Sequence, residues 1–301
     1  MRFAVTGGAG FIGSYITKLL LEKNHDVLVL DNMHTGKKEN LHDSSKLEFF
    51  QMDIRNYPLL ENYLENIDGV FHEAGLTLVP ESFEKPEEYN DVNVCGTENV
   101  FKISKKFGIK VVYASSSSVY GDTENIPIKE SDPKNPINPY GVTKVKKDNL
   151  AEKYSKEGCS IIGLRYFNVF GKGQTGTYAG VITKFLECLK NKTSPIIYGD
   201  GKQIRDFISV EDVASANIQA MLSDIKEGFF NIGTGTPTSV LELAELMIKI
   251  SNYNIKPIFE KSRKGDVKLS LADISNTQKY LDWHSEIKLE DGLKKIMDSI
   301  L

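Results

Sequence analysis

The sequence is short of the residues that build metal and disulfide frameworks. Its three cysteines, Cys95, Cys159 and Cys188, are scattered without CxxC spacing, which excludes a disulfide scaffold and a thiolate zinc site. The five histidines do not cluster, so no metal centre is expected. No apolar run approaches the ~18 residues of a membrane helix. An apolar strand pattern begins at Arg2-Phe-Ala-Val-Thr6, leaving no room for a secretory leader, and the expected address is the reducing cytoplasm. A basic excess is missing too. The 37 Lys and Arg against 41 Asp and Glu give a net charge of −4, so nucleic acid is not an expected partner. The local run Lys144-Val-Lys-Lys147 reads as a solvated helix face.

The 301 residues suffice for one large α/β domain with a smaller lobe. Short apolar runs at 3–5, 27–30, 47–51, 69–72, 109–114 and 160–165 predict strands. Helical spacing separates them at 11–23, 59–66, 93–106 and 138–157. Asn138 suits an N-cap, Pro139 the first helical position and Gly158 the stop. This alternation predicts a Rossmann-type, doubly wound parallel sheet, with ligands beyond the carboxyl ends of its strands. The later texture differs: helices at 179–191, 210–222, 239–251, 273–280 and 289–300, with short strands at 207–209 and 229–232. A smaller, mixed lobe is therefore expected at 169–204 and 233–301, with 205–232 returning to a sheet domain of 1–168.

The first strand runs into Thr6-Gly-Gly-Ala-Gly-Phe-Ile-Gly-Ser14. Glycines at 7, 10 and 13 permit a tight turn and close approach of a pyrophosphate to the next helix N-terminus. The second strand ends at Asp31, 18 residues after Gly13, where a carboxylate can hold both ribose hydroxyls of NAD and repel the extra phosphate of NADP. Asp53 and Ile54, just after the third strand, suit an adenine contact.

The fifth strand ends in Tyr113-Ala-Ser-Ser-Ser-Ser-Val-Tyr-Gly121, and Tyr140 and Lys144 follow one helical turn apart. A tyrosine titrates near pH ~10 when free. An ammonium and an oxidised nicotinamide beside it favour phenolate and make it a usable base.

With these motifs in place, the chain resembles the extended branch of the short-chain dehydrogenase/reductases, and within it the UDP-glucose/UDP-galactose 4-epimerases. The likeness spans VTGGAGFIGS, LDN at 30–32, HEAGL at 72–76, ASSSSVYG, PYGVTK, LRYFNVFG at 164–171, GDGKQIRDFISVEDVA at 199–214 and RKGD at 263–266. The resemblance implies NAD as cofactor and a UDP-sugar as substrate. It implies Ser116, Tyr140 and Lys144 as catalytic residues. It implies cofactor contacts at Gly7, Gly10, Phe11, Ile12, Gly13, Asp31, Asn32, Asp53, Ile54, Ala74, Gly75, Leu76, Asn93, Ser115 and Tyr166, as well as Tyr140 and Lys144. Ser117 and Ser118 stand where related dehydratases and decarboxylases carry an acid, so no group is supplied for elimination.

The same resemblance places Ser116, Ser118, Tyr140, Asn168, Tyr198, Arg205, Arg263, Asp266 and Ser270 around the nucleotide sugar. The two arginines suit a diphosphate. Ser270 stands where members restricted to UDP-glucose tend to carry tyrosine, so room is expected for an acetamido group. Thr77 replaces a lysine that some bacterial members carry near the cofactor. A homodimer through the helices at 93–106 and 138–157 is also implied.

Overall fold

The computed structural model describes residues 1–174, 180–262 and 267–300. Strand and helix alternate from the start: β1 (Arg2–Thr6), α1 (Phe11–Glu22), β2 (Asp26–Asp31), β3 (Leu47–Gln51), α2 (Tyr57–Leu64) and β4 (Gly69–His72). Two short helices, α3 (Val79–Glu84) and α4 (Pro86–Asn90), precede α5 (Gly96–Phe107), β5 (Lys110–Ser116), α6 (Pro139–Lys156) and β6 (Ile161–Tyr166). The chain continues through β7 (Asn168–Phe170), α7 (Val181–Lys190), β8 (Ile196–Tyr198), β9 (Ile204–Arg205), β10 (Phe207–Ser209), α8 (Val210–Leu222) and β11 (Glu227–Ile232). It ends with β12 (Thr238–Ser239), α9 (Val240–Ser251), β13 (Ile258–Glu260), α10 (Ser275–Leu281) and α11 (Leu289–Met297).

Seven parallel strands form the main sheet in the order β11-β6-β5-β4-β1-β2-β3. Inner strands such as β4 and β6 are buried along their whole length. They can be, because helices cover both faces and every position meets a core. On one face α1 and α8 pack Ile16, Leu20, Val213 and Ala216 against Val5, Val29 and Val112. On the other, α2, α5 and α6 enclose Leu60, Val100, Phe101 and Ala151. The strand order reverses between β1 and β4, which opens a crevice at their carboxyl ends.

The helix expected at 93–106 is the end of a longer rod. From α4 the chain stays helical through a widened, π-type turn at Asp91–Cys95 into α5, which stops at Gly108 in the left-handed conformation. Such widened turns recur at functional sites, and this one carries Asn93. The strands β7, β8, β9, β12 and β13 are two or three residues long, too short to show a period of two.

The smaller lobe has its own core of Ile182, Phe185, Leu189, Leu243, Met247 and Leu293. Two acids fasten it to the sheet. Asp206 is fully buried and accepts hydrogen bonds from the N–H groups of Thr234, Gly235 and Ala272. Asp212 accepts those of Glu286 and Ile287. The tail is not confined to the lobe, since Leu281 and Trp283 join the core beneath α8. Among the described residues no helix is long and apolar enough to cross a membrane.

Candidate functional site

The crevice beyond the strand ends is a cleft of about 390 Å³. At its near end β1 turns through the glycine loop into α1. A Cβ on Gly13 would lie 2.2 Å from the Gly7 carbonyl oxygen, so the turn closes only around glycine. Gly10 is the N-cap of α1 and no side chain caps the helix. The first-turn N–H groups and the positive end of the helix are thus left for an anion. Gly7, Gly10, Phe11, Ile12 and Gly13 all line the cleft.

Asp31 lines it too, at the end of β2, with its carboxylate held by the N–H groups of Ala9 at 3.0 Å and Met33 at 2.7 Å. Asn32 donates to Asp53 at 3.2 Å, and Arg55 grips Asp53 through Nε and Nη2. The Arg55 hydrogen bonds hold the Asp53 carboxyl down at about 2. Ile54, Ala74, Gly75, Leu76 and Thr77 complete this wall. An uncapped helix end, a glycine-rich turn and a carboxylate at the second strand end together fit an adenine dinucleotide.

Asn93 is placed behind the wall instead of on it. It is buried, accepts the Leu76 N–H at 2.7 Å, and donates to the Leu76 carbonyl at 2.9 Å and to Thr143 at 3.1 Å. Thr143 in turn donates to the Tyr140 carbonyl. One amide therefore ties the cofactor wall to the helix that carries the tyrosine.

The serine run divides by direction. Ser115 donates to Asp148 at 2.8 Å. Ser116 donates to the Ser118 hydroxyl and accepts the Ser118 N–H, both at 3.1 Å. α6 starts as its sequence demands, with Asn138 accepting the Gly141 N–H at 2.8 Å and Pro139 first in the helix. A Cβ on Gly141 would lie 2.7 Å from the Ser118 carbonyl oxygen, so glycine lets α6 press against the serine turn. Ser82 accepts the Tyr140 N–H at 3.2 Å. Lys144 Nζ donates to the Ala114 carbonyl at 2.9 Å and sits 5.4 Å from the centre of the Tyr140 ring. The Tyr140 hydroxyl has no hydrogen bond to the described residues and is available to a ligand. Ser115, Ser116, Tyr140, Lys144 and Tyr166 line the same cleft as the glycine turn.

The run 144–147 is not a solvated face. Lys144 and Lys147 are 4% and 1% exposed, and only Lys146 reaches outward, to Asn90. α6 turns polar residues inward because the strand ends beneath it are polar. There Asp148 and Arg165 form a fully buried ion pair at 3.0 Å, joined by Tyr113, Ser115 and Tyr120. Burial, followed by the charge of Lys144, pushes the Lys147 pKa well below the ordinary lysine value.

At Asn168 the cleft passes into a second chamber of about 460 Å³, lined by Ser117, Ser118, Asn138, Tyr198, Arg205 and Ser270. Ser270 is held by its N–H on the Ile204 carbonyl, beside Arg205 on β9. Arg263 and Asp266 lie outside the described residues. A larger concavity of about 730 Å³ opens between α1 and α11. It shares only Phe11 with the candidates nominated from sequence, so size does not choose the site.

The family model described as NAD dependent epimerase/dehydratase matches residues 3–233. The chain belongs to the NAD dependent epimerase/dehydratase family. It is 40% identical to the putative UDP-glucose 4-epimerase of Methanocaldococcus jannaschii over 98% of this chain and 96% of that one. The structure superposes on a UDP-N-acetylglucosamine 4-epimerase of Methanobrevibacter ruminantium, solved with UDP-N-acetylmuramic acid, with a TM-score of 0.95 at 37% identity, covering 99% and 97% of the two chains. It is also similar to the UDP-glucose 4-epimerase of Thermotoga maritima, solved with UDP-glucose, with a TM-score of 0.94 at 34% identity over 99% and 98%.

Several residues around this epimerase/dehydratase site escape sequence reasoning. Ser82, Lys147, the Asp148–Arg165 pair and Glu73 carry no spacing that marks them, and their roles come from partners distant in the chain. Glu73 had one legible signal, an acid placed directly after a short, fully buried strand.

Proposed function

We propose that this chain is a 4-epimerase of UDP-hexoses that accepts N-acetylated as well as plain sugars. The observation that carries the reading is the continuity of one cleft. The glycine turn opens one end, Ser116, Tyr140 and Lys144 stand in the middle, and Tyr198, Arg205 and Ser270 surround the other.

Bound NAD would supply a reversible two-electron oxidation of the sugar carbon, so the cycle closes without net redox. The chain's own residues do the rest. Tyr140 takes the proton of the 4-hydroxyl and later returns it. Lys144 holds its ammonium beside the Tyr140 ring, 5.4 Å from the ring centre. Ser116 hydrogen-bonds the 4-oxygen once its hydroxyl turns away from Ser118. Epimerisation further requires the ketone to turn over while its carrier stays held. Arg205 and, by the resemblance, Arg263 suit the diphosphate with Asn168 in support, and Tyr198 suits the uracil. Asp266 is nominated for the uridine ribose. Ser117 and Ser118 offer no acid beside Ser116, which supports epimerisation over dehydration. Ser270, small and at the chamber wall, leaves volume for an acetamido group.

Incubating the purified protein separately with UDP-galactose, UDP-GalNAc and UDP-galacturonate, and identifying products by NMR, tests the reading. The expected products are UDP-glucose and UDP-GlcNAc. Conversion of the uronate alone would replace it with a UDP-glucuronate 4-epimerase.

A further inference from the structure

Glu73 follows β4 directly and lines the cofactor cleft in the stretch it shares with Ala114, Ser115, Lys144 and Tyr166. Its Oε1 accepts a hydrogen bond from the Tyr166 hydroxyl at 2.9 Å, and that hydroxyl is also paired with the Asn217 amide of α8. To meet, the two side chains span β5, which lies between their strands in the sheet. The small Ala114, in the same buried cluster as Tyr166, is what lets them pass. The Ala114 carbonyl is in turn the acceptor of Lys144. An acid and the lysine of the reacting centre thus line the same stretch of cleft.

A purely structural role would be met by an amide. Instead the position holds a carboxyl whose Oε2 has no hydrogen-bond partner among the described residues. The groups facing it are Lys144 and Lys147 from α6, Tyr166 from β6 and Asn217 from α8. Its neighbour His72 is enclosed between Thr6 and Thr97, and burial keeps that ring neutral.

We propose that Glu73 is a positioning residue that sets the balance between oxidised and reduced nicotinamide in this cleft. Ionised, its carboxylate favours the nicotinamide cation; protonated, it favours the neutral reduced ring. The inference rests on the dinucleotide reading of the cleft and deepens it. Burial of the carboxyl pushes its pKa up to about 7, against the opposing pull of the Tyr166 hydrogen bond and the two lysines. The charge therefore changes within the neutral range. The direction follows from linkage: the cation lowers the carboxyl pKa relative to the reduced complex, so rising pH strengthens binding of NAD⁺ more than of NADH.

The test measures the dissociation constants of NAD⁺ and NADH for the purified full chain on both sides of pH ~7. For the wild type the ratio Kd(NAD⁺)/Kd(NADH) should fall roughly tenfold as pH rises, the change expected if the carboxyl pKa differs by about one unit between the two complexes. In Glu73→Gln, which keeps the shape and the Tyr166 hydrogen bond, the ratio should be flat. Glu73→Asp should restore a pH dependence. A flat wild-type ratio with both affinities intact, or an unchanged slope in Glu73→Gln, overturns the role of Glu73 alone. Failure of the wild type to bind either dinucleotide overturns the cofactor site along with it.

Discussion

The end of the cleft proposed for the cofactor is built from contiguous stretches of chain, and the end proposed for the sugar from scattered single residues. The first half comes from a few contiguous stretches, 7–13, 31–32, 53–54 and 74–76, each at the carboxyl end of a strand in one sheet. The second is assembled from Ser118, Asn168, Tyr198, Arg205 and Ser270, carried on separate short strands and turns. Backbone at the ends of packed strands has little freedom to adapt, which suits a cofactor common to a family. Side chains on short strands and turns can be exchanged one at a time, which suits a varying substrate. Between the halves stands α6, fixed to the first by Asn93 and Thr143 and touching the second through Asn138.

Substitutions at the junction, beneath it and in the sugar half separate these parts. The largest effect is expected at the junction. Tyr140→Phe removes only the hydroxyl and leaves the ring among Leu76, Tyr89 and Val92. Turnover should fall about 10²- to 10⁴-fold, with NAD affinity kept as measured by calorimetry. Retained turnover would take the proposed base away.

Next is the buried pair beneath the junction. Arg165→Met strands Asp148 without its ionic partner and should cost about 3–5 kcal/mol of stability in chemical denaturation. Adding Asp148→Leu should recover most of that loss. A single variant as stable as wild type would mean that the pair does not hold α6 to the sheet.

The smallest and most selective effect is expected in the sugar half. Ser270→Tyr should lower turnover of N-acetylated sugars about ten- to a hundredfold relative to plain ones, with NAD binding untouched. Equal loss for both substrates, or none, would show that residue 270 does not gate the C2 substituent. The pH-dependent dinucleotide ratio at Glu73 sharpens the same comparison from the cofactor side, because it should leave UDP-sugar affinity unchanged.

The legible parts were those whose physics is local. The strands at 47–51 and 69–72 and the helix at 210–222 occupy the spans their patterns predict. The Asn138–Pro139 start of α6 needs nothing beyond its own few residues. The short strands β8, β9, β12 and β13 were not legible, because each exists only through pairing with a distant partner. The lysines of α6 misled for a related reason. Charge on a helix predicts exposure unless the surface opposite is polar, and only the assembled sheet places Tyr113, Ser115 and Arg165 there, with Arg165 paired to Asp148 of α6.

The sequence by itself determined the sheet, the glycine turn and the order in which Ser116, Tyr140 and Lys144 arrive, since periodicity and capping act between residues close in the chain. Tertiary structure alone decided which serines of the run line the first cleft and which the second chamber, that Asn93 braces the wall from behind, and that Glu73 meets Tyr166 across β5. Those outcomes depend on burial and on partners tens to a hundred or so residues away, and neither leaves a mark in local spacing.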